Sequence, residues 1–312
     1  MRIIFMGAGA LACPALRNLL EQKRDEVVAV VTQPDRPGGR RLHLKACPVR
    51  SFMEAHSGIP VLVSENASTP DMVARLRELK PDLMIVADFG QFLKRVVLEI
   101  PPRGMINIHP SLLPKYRGAA PIQWAIANGD LETGVSILYV TERMDAGDLI
   151  LQERAPIRDE ATTATLEPLL AELGATLLMR ALDDIRAGRV RAVPQDETKV
   201  VLAPKLSKED GRVDWPMAAS AIRNRVRAFQ PWPGSFCEVP EGSGHLLKLI
   251  EVRIEKRAGE PGMVLECGGD GPLVACGEHS LRLLEVQPEG KKPMAGAAFL
   301  CGHKLMPGSR LG

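Results

Sequence analysis

The apolar positions of the chain change period along its length, and the period names the elements. Residues 2–6 form a short apolar run, and residues 14–21 then carry leucines at helical spacing. Residues 27–31 are β-branched with one alanine and no polar interruption, as in a strand buried on both faces. Residues 48–55 read as a helix, 59–63 as a short strand, 72–79 as a helix and 83–87 as another buried strand. A turn follows at 88–91, and 104–109 reads as a further strand end. This βαβα rhythm predicts an α/β fold: an open, mostly parallel Rossmann-like sheet with helices on both faces. In such sheets ligands bind outside the carboxyl ends of the strands, so candidate chemistry belongs just after the apolar runs.

Beyond residue 160 the pattern differs. Leu166, Leu169, Leu170, Leu173, Leu177, Ala181 and Ile185 keep a 3.6-residue period, predicting a long amphipathic helix that Gly188 would cap. Residues 193–199 are polar and aperiodic. From about Leu206, glycine-punctuated stretches at 247–254 and 280–286 alternate in period two, with short runs at 262–266 and 272–276. These predict a small antiparallel β-barrel, OB-like in type. The expected division is 1–189, a linker at 190–205, and 206–312.

At 312 residues the chain is long enough for two domains. Its 45% hydrophobic and 25% charged content is that of a globular protein, and 4% aromatic content makes the cores aliphatic. No eighteen-residue apolar run suggests a membrane span, and the strand-like start leaves no room for a signal peptide. Six scattered cysteines without C-x-x-C spacing point to reduced thiols in the cytoplasm, with no disulfide or metal site. A net charge of +2 decides nothing about nucleic acid.

Gly7-Ala-Gly9-Ala-Leu-Ala12 matches the dinucleotide fingerprint G-x-G-x-x-A after a strand. The acidic residue that should end the second strand is missing, since that strand closes Val31-Thr-Gln33. A structural turn is the better reading, with an NAD(P)-dependent oxidoreductase as the alternative from another class.

The residues that carry chemistry lie elsewhere. Asn107 and His109 alternate with Ile106 and Ile108, so period two puts an amide and an imidazole on one face of a strand that Pro110 then ends. Asp145 follows the apolar run 135–140, in Met144-Asp-Ala-Gly-Asp148, where Ala146-Gly147 allows a tight turn. Asp148 could serve as a cap there instead.

The segment Gly104-Met-Ile-Asn-Ile-His-Pro-Ser-Leu-Leu-Pro-Lys-Tyr-Arg-Gly118, with Ala120-Pro-Ile-Gln-Trp124 and Met144-Asp-Ala-Gly-Asp148, resembles the 10-formyltetrahydrofolate-dependent formyltransferase family. The resemblance implies Asn107, His109 and Asp145 as catalytic residues. It also implies a folate site at Ser111, Leu112, Leu113 and Pro114 with Phe89 and Gln91, and 10-formyltetrahydrofolate as donor without a metal. Gln33-Pro-Asp-Arg-Pro37, Ala203-Pro-Lys-Leu-Ser-Lys-Glu-Asp210, Arg227-Ala-Phe-Gln-Pro-Trp-Pro-Gly234 and Gly290-Lys-Lys292 are similar to the branch whose acceptor is initiator methionyl-tRNA. The Gly7–Ala12 turn departs from the family's more usual Gly-Thr-Pro-like loop.

Arg36, Arg40, Arg41, Lys45 and Arg50 form a basic stretch with Pro34, Pro37, Gly38 and Gly39, read as a loop. By composition it is a solvated surface; by the resemblance it contacts tRNA phosphates, as the second domain would. The expected partners are the tRNA and the folate donor, with no membrane and a monomeric chain. A sugar amine or water remains open as the acceptor.

Overall fold

In the computed structural model the apolar runs of the N-terminal half become strands of a single seven-stranded sheet. The structure describes residues 1–38, 43–56, 58–303 and 305–312, with 36–38 and 43–45 described as backbone. In chain order the strands of this half are β1 (Arg2–Gly7), β2 (Glu26–Thr32), a short pair β3 (Arg36–Gly38) and β4 (His43–Lys45), β5 (Val61–Val63), β6 (Leu83–Ala87), β7 (Met105–His109), β8 (Lys115–Gly118), β9 (Glu132–Tyr139), β10 (Leu149–Pro156) and β11 (Val201–Ala203). The sheet runs β10-β9-β7-β6-β1-β2-β5. Pairs β1/β2, β1/β6, β2/β5 and β6/β7 are parallel, and β9 and β10 join antiparallel. The sheet is thus mostly parallel. Strand order leaves β1 in both directions, toward β2 and toward β6, so the topological switch point lies between β1 and β6.

The helices are α1 (Cys13–Gln22), α2 (Pro48–Met53), α3 (Pro70–Glu78), α4 (Arg95–Leu98), α5 (Pro121–Ala127) and α6 (Thr163–Arg186). Helix α1 carries Pro14 in its first turn, where the missing N–H has no partner to lose. Helix α2 stops at Met53, two residues short of the expected span. In α6, Gly174 lies against β7 and β9: a Cβ there would stand 2.8 Å from Ile108 Cγ2. The helix therefore approaches the sheet more closely than a side chain would permit.

Two compact units emerge, and they are not simple sequence halves. The first comprises Met1–Pro121, Glu132–Pro156 and Glu167–Pro204; the second comprises Ile122–Leu131, Ile157–Leu166 and Lys205–Gly312. The polar stretch after α6 carries pairing of its own within the first unit. Val193 bridges Leu149, and β11 pairs in parallel with β8.

The second unit adds α7 (Ala219–Ala228), β12 (Ser235–Glu238), β13 (Leu246–Glu255), β14 (Val264–Gly268), β15 (Gly271–Ala275), β16 (Ser280–Pro288), β17 (Met294–Ala295) and α8 (Gly296–Gly302). Its sheet is antiparallel, in the order β12-β13-β16-β15-β14 with β17 on β16, consistent with a small barrel. Trp215, Leu247, Leu249, Leu281, Leu283 and Phe299 are among its buried residues. Arg282 is buried as well, its guanidinium paired with Glu255 and Glu266 and bonded to the carbonyls of Gly268 and Gly271. Such matching is what a buried charge requires. Among the described residues, no helix is long and apolar enough to cross a membrane.

Candidate active site

The carboxyl end of β7 presents Asn107 and His109 on one face, as period two requires, with Ile106 and Ile108 buried on the other. Central placement protects this end: β6 flanks it on one side, with Val86 opposite Asn107, and β9 on the other, with His109 opposite Ser136. His109 is 4% exposed. Its Nε2 lies 2.8 Å from the Tyr116 carbonyl oxygen, so that nitrogen carries a proton and donates. The other ring nitrogen, Nδ1, faces Asp145 Oδ2 at 3.6 Å.

Asp145 brings the three together. Asn107 Nδ2 donates to its Oδ1 at 3.3 Å, and the Gly118 backbone N–H donates to its Oδ2 at 2.9 Å. The residue sits at φ +48°, a left-handed conformation unusual without glycine, which turns the side chain back over the sheet edge. Gly147 closes the same turn, since a Cβ there would lie 1.8 Å from the Tyr139 carbonyl oxygen. Asp148 belongs to the turn through its backbone: its carbonyl accepts from Tyr139 N–H at 3.0 Å.

The Ser111–Pro114 segment is fixed from beneath by two residues that sequence reasoning missed. Ser136 Oγ donates to the Ser111 carbonyl at 2.6 Å and accepts from Leu113 N–H at 3.1 Å. Gln152 Nε2 donates to the Leu113 carbonyl at 2.9 Å and to Ser136 Oγ at 2.8 Å. Ser136 was visible as the one polar residue inside an apolar run; Gln152 had no such signal. Ser111 Oγ donates to the Lys115 carbonyl at 2.7 Å, a turn-forming role. Leu112 lies over Gly134, and the Leu113–Pro114 peptide is cis.

On the neighbouring loop Phe89 is 2% exposed, with its carbonyl accepting from Gln33 Nε2. Gln91 spends both ends of its amide on the backbone, accepting from Ala67 N–H at 2.8 Å and donating to the Ser64 carbonyl at 2.7 Å. It shapes the loop through these bonds. Between these residues and β1 stands Asp88, at φ +44° and directly beyond the end of β6. A Cβ on Gly9 would lie 1.6 Å from Asp88 Oδ2, so this carboxylate fills the space above the Gly7–Ala12 turn. The Asp88 carbonyl accepts from the Ala8 and Gly9 N–H groups, both at 3.1 Å. The residue stays open to water on one side, yet crowding of its carboxylate by protein pushes its pKa up.

The basic stretch is only partly described. Arg40 and Arg41 lie outside the described residues. Arg36 and Lys45 are opposite each other in the antiparallel pair β3/β4, so the expected loop contains a short ladder. Arg50 lies on α2 and pairs with Asp35 at 3.0 Å. In the second unit Arg223 pairs with Asp159 at 2.8 Å, and Arg227 donates to the Arg158 and Ala161 carbonyls. Among the described residues, no group of three or more histidines, cysteines or acids is gathered as a metal would need.

Residues 1–182 match the family described as Formyl transferase, and 205–304 match its C-terminal domain. The chain is 45% identical to the methionyl-tRNA formyltransferase of Citrifermentans bemidjiense over 312 residues, covering 100% of this chain and 96% of the relative. It is 45% identical to that of Myxococcus xanthus over 309 residues, 99% of this chain and 97% of the relative. Two solved structures share the fold at low identity. An N-formyltransferase from Helicobacter canadensis, with folinic acid and dTDP-3-aminofucose, has a TM-score of 0.67 at 17% identity, covering 90% of this chain and 98% of that one. HypX from Aquifex aeolicus, with tetrahydrofolic acid, has a TM-score of 0.61 at 22% identity over 97% of this chain, which spans 47% of HypX.

Proposed function

The chain belongs to the formyl transferase family, and from that premise we propose that it transfers the formyl group of 10-formyltetrahydrofolate to the α-amine of initiator methionyl-tRNA. The observation that carries the chemistry is Asp145 held against both Asn107 and His109 at the carboxyl end of a central strand. The acceptor rests on the full-length similarity to relatives named for it, second domain included. The N-formyltransferase structure with dTDP-3-aminofucose aligns over 90% of this chain but at 17% identity, which carries the fold and not the acceptor.

The donor brings an activated formyl carbon. Attack by the amine forms an N–C bond and places negative charge on the formyl oxygen; the bond from that carbon to the folate nitrogen then breaks. Asn107 Nδ2 and the His109 imidazole are the groups that bind that oxygen, in a largely water-excluded strand end where such contacts contribute most. Asp145 orients the imidazole and accepts the proton leaving the amine, directly or through water. The folate nitrogen takes up a proton as it leaves. The apolar Leu112, Leu113 and Phe89 with the backbone of both loops fit a flat heterocycle that needs few polar contacts.

For the tRNA we assign the backbone contacts to Arg36, Arg40, Arg41, Lys45 and Arg50 and to the domain at 206–312, with 1–189 as catalytic domain and 190–205 as linker. The six free thiols fit a cytoplasmic setting. The test is formylation of charged initiator tRNA with 10-formyltetrahydrofolate at stated salt, beside a nucleotide-linked amino sugar and a no-acceptor control. Transfer to the tRNA alone supports the reading. Formate release without acceptor, or transfer to the sugar only, overturns it.

A further inference from the structure

Gln195 belongs to the polar stretch that had no signal in the sequence, yet every hydrogen-bonding position of its side chain is used. Nε2 donates to the Asp145 carbonyl at 2.7 Å and to the Gly147 carbonyl at 2.8 Å. Oε1 accepts from Arg117 Nε at 3.0 Å and Nη2 at 2.8 Å. The amide has one workable orientation, because a flip would set its oxygen against two carbonyls and its NH2 against a guanidinium. Arg117 itself is 6% exposed and also donates to both oxygens of Glu197.

The contacts surround one loop. Arg117 precedes Gly118, whose N–H holds the Asp145 carboxylate, so β8 grips Asp145 by its side chain. Gln195 grips the same residue by its backbone, and the two grips meet at Arg117. Asp145 occupies a left-handed conformation that costs energy without glycine, and such conformations persist only where the surroundings over-determine them. Without the Nε2 donors, the carbonyls of 145 and 147 would lose the partners that set the turn.

We propose that Gln195 is a positioning residue for the transfer reaction, holding the 145–147 turn so that the Asp145 carboxylate stays against Asn107 and His109. The role rests on the formyl-transfer reading of the site. A displacement of about 1 Å at a reacting group can cost on the order of a hundredfold in rate, so losing this hold should show chiefly in kcat.

Gln195→Ala removes all four bonds, whereas Gln195→Glu keeps an acceptor for Arg117 and removes the donors. Both variants are expected to lower kcat by about ten- to a hundredfold, with KM for the tRNA within about twofold. A full-rate Gln195→Glu would overturn the proposal, since the donors would then be dispensable. The decisive comparison adds Asp145→Asn. If Gln195 acts through Asp145, then Gln195→Ala should cost little more in that background; two losses that multiply would show an independent, merely structural role. Hydrogen exchange over 142–148 reads the hold without any acceptor. In Gln195→Ala these amides should exchange at least about tenfold faster while those of β7 do not change. An unchanged loop overturns the proposal even if formylation proceeds, and a wild-type protein that fails to formylate the tRNA overturns the acceptor assignment while exchange still decides on Gln195.

Discussion

The Asp88 carboxylate occupies the space that a β-carbon on Gly9 would fill, with Oδ2 1.6 Å from that position. Gly9 has an extended backbone, φ −83° and ψ 176°, so its lack of a side chain matters for space and not for conformation. The obstacle is the end of an exposed, rotatable side chain, so Gly9→Ala should destabilise by less than about 1 kcal/mol as the carboxylate swings aside, and Asp88→Ala in the same chain should remove that cost. Denaturant midpoints of the two single variants and the double variant check it.

The same carboxylate gives a pH dependence with a definite sign. Crowding of its carboxylate by protein raises the folded-state pKa of Asp88 above the ordinary 3.8, so folding favours its neutral form. The stabilisation relative to an ionised Asp88 is fully present below the unfolded value and is lost as pH rises through the folded one. Asp88→Asn should thus gain on the wild type as pH rises through that window and then hold a constant lead. Paired unfolding curves from pH 3 to about 7 measure the difference.

Removing the central groups should stop the chemistry without unfolding the chain. His109→Ala and Asp145→Asn are expected to lower kcat by about 10²- to 10⁴-fold, the range of positioned acid–base and oxyanion groups. Near wild-type formylation by either folded variant would refute their assignment.

Ser136 predicts a different signature. In Ser136→Ala the Leu113 N–H and Ser111 carbonyl lose a buried partner, which should cost about 1–3 kcal/mol of stability. Because Ser111–Pro114 is assigned to the folate donor, KM for the donor should rise more than KM for the tRNA. Steady-state kinetics with each substrate varied in turn separate the two.

If the stretch from Arg36 to Arg50 meets tRNA phosphates, binding must weaken with salt. Each basic residue replaced by alanine should reduce the slope of log K against log salt by about 0.7–0.9. Measuring tRNA affinity at several salt concentrations for Arg36→Ala and Lys45→Ala checks this, and unchanged slopes would return the stretch to an ordinary solvated surface.

Legibility in the sequence followed the kind of pairing involved. The parallel strands announced themselves because burial on both faces demands unbroken apolar runs, and 83–87 matches β6 residue for residue. Asn107 and His109 were readable because period two fixes which side chains share a face. β3 and β4 were not: their three-residue ladder is made by backbone groups, and Pro37 and Gly38 argue against a strand locally. β11 was hidden for a similar reason, since Leu202 is exposed and its run of three is too short for a period. Gln195 and Gln152 act by reaching distant carbonyls, and no local pattern marks a glutamine for that work.

The pairing of β8 with β11 also bears on how the protein can be divided. A fragment ended at residue 182, where the N-terminal family match stops, would retain Asn107, His109 and Asp145. It would lack Gln195, Glu197 and the strand that lies on Gly118, whose Ala203 carbonyl oxygen is 2.4 Å from where a Cβ on Gly118 would stand. Such a fragment would keep the three groups proposed to react and still lack the side chains that hold the 145–147 turn. Truncations and chimaeras among relatives should therefore be cut beyond Pro204, so that Gln195 and β11 stay with the loop they hold.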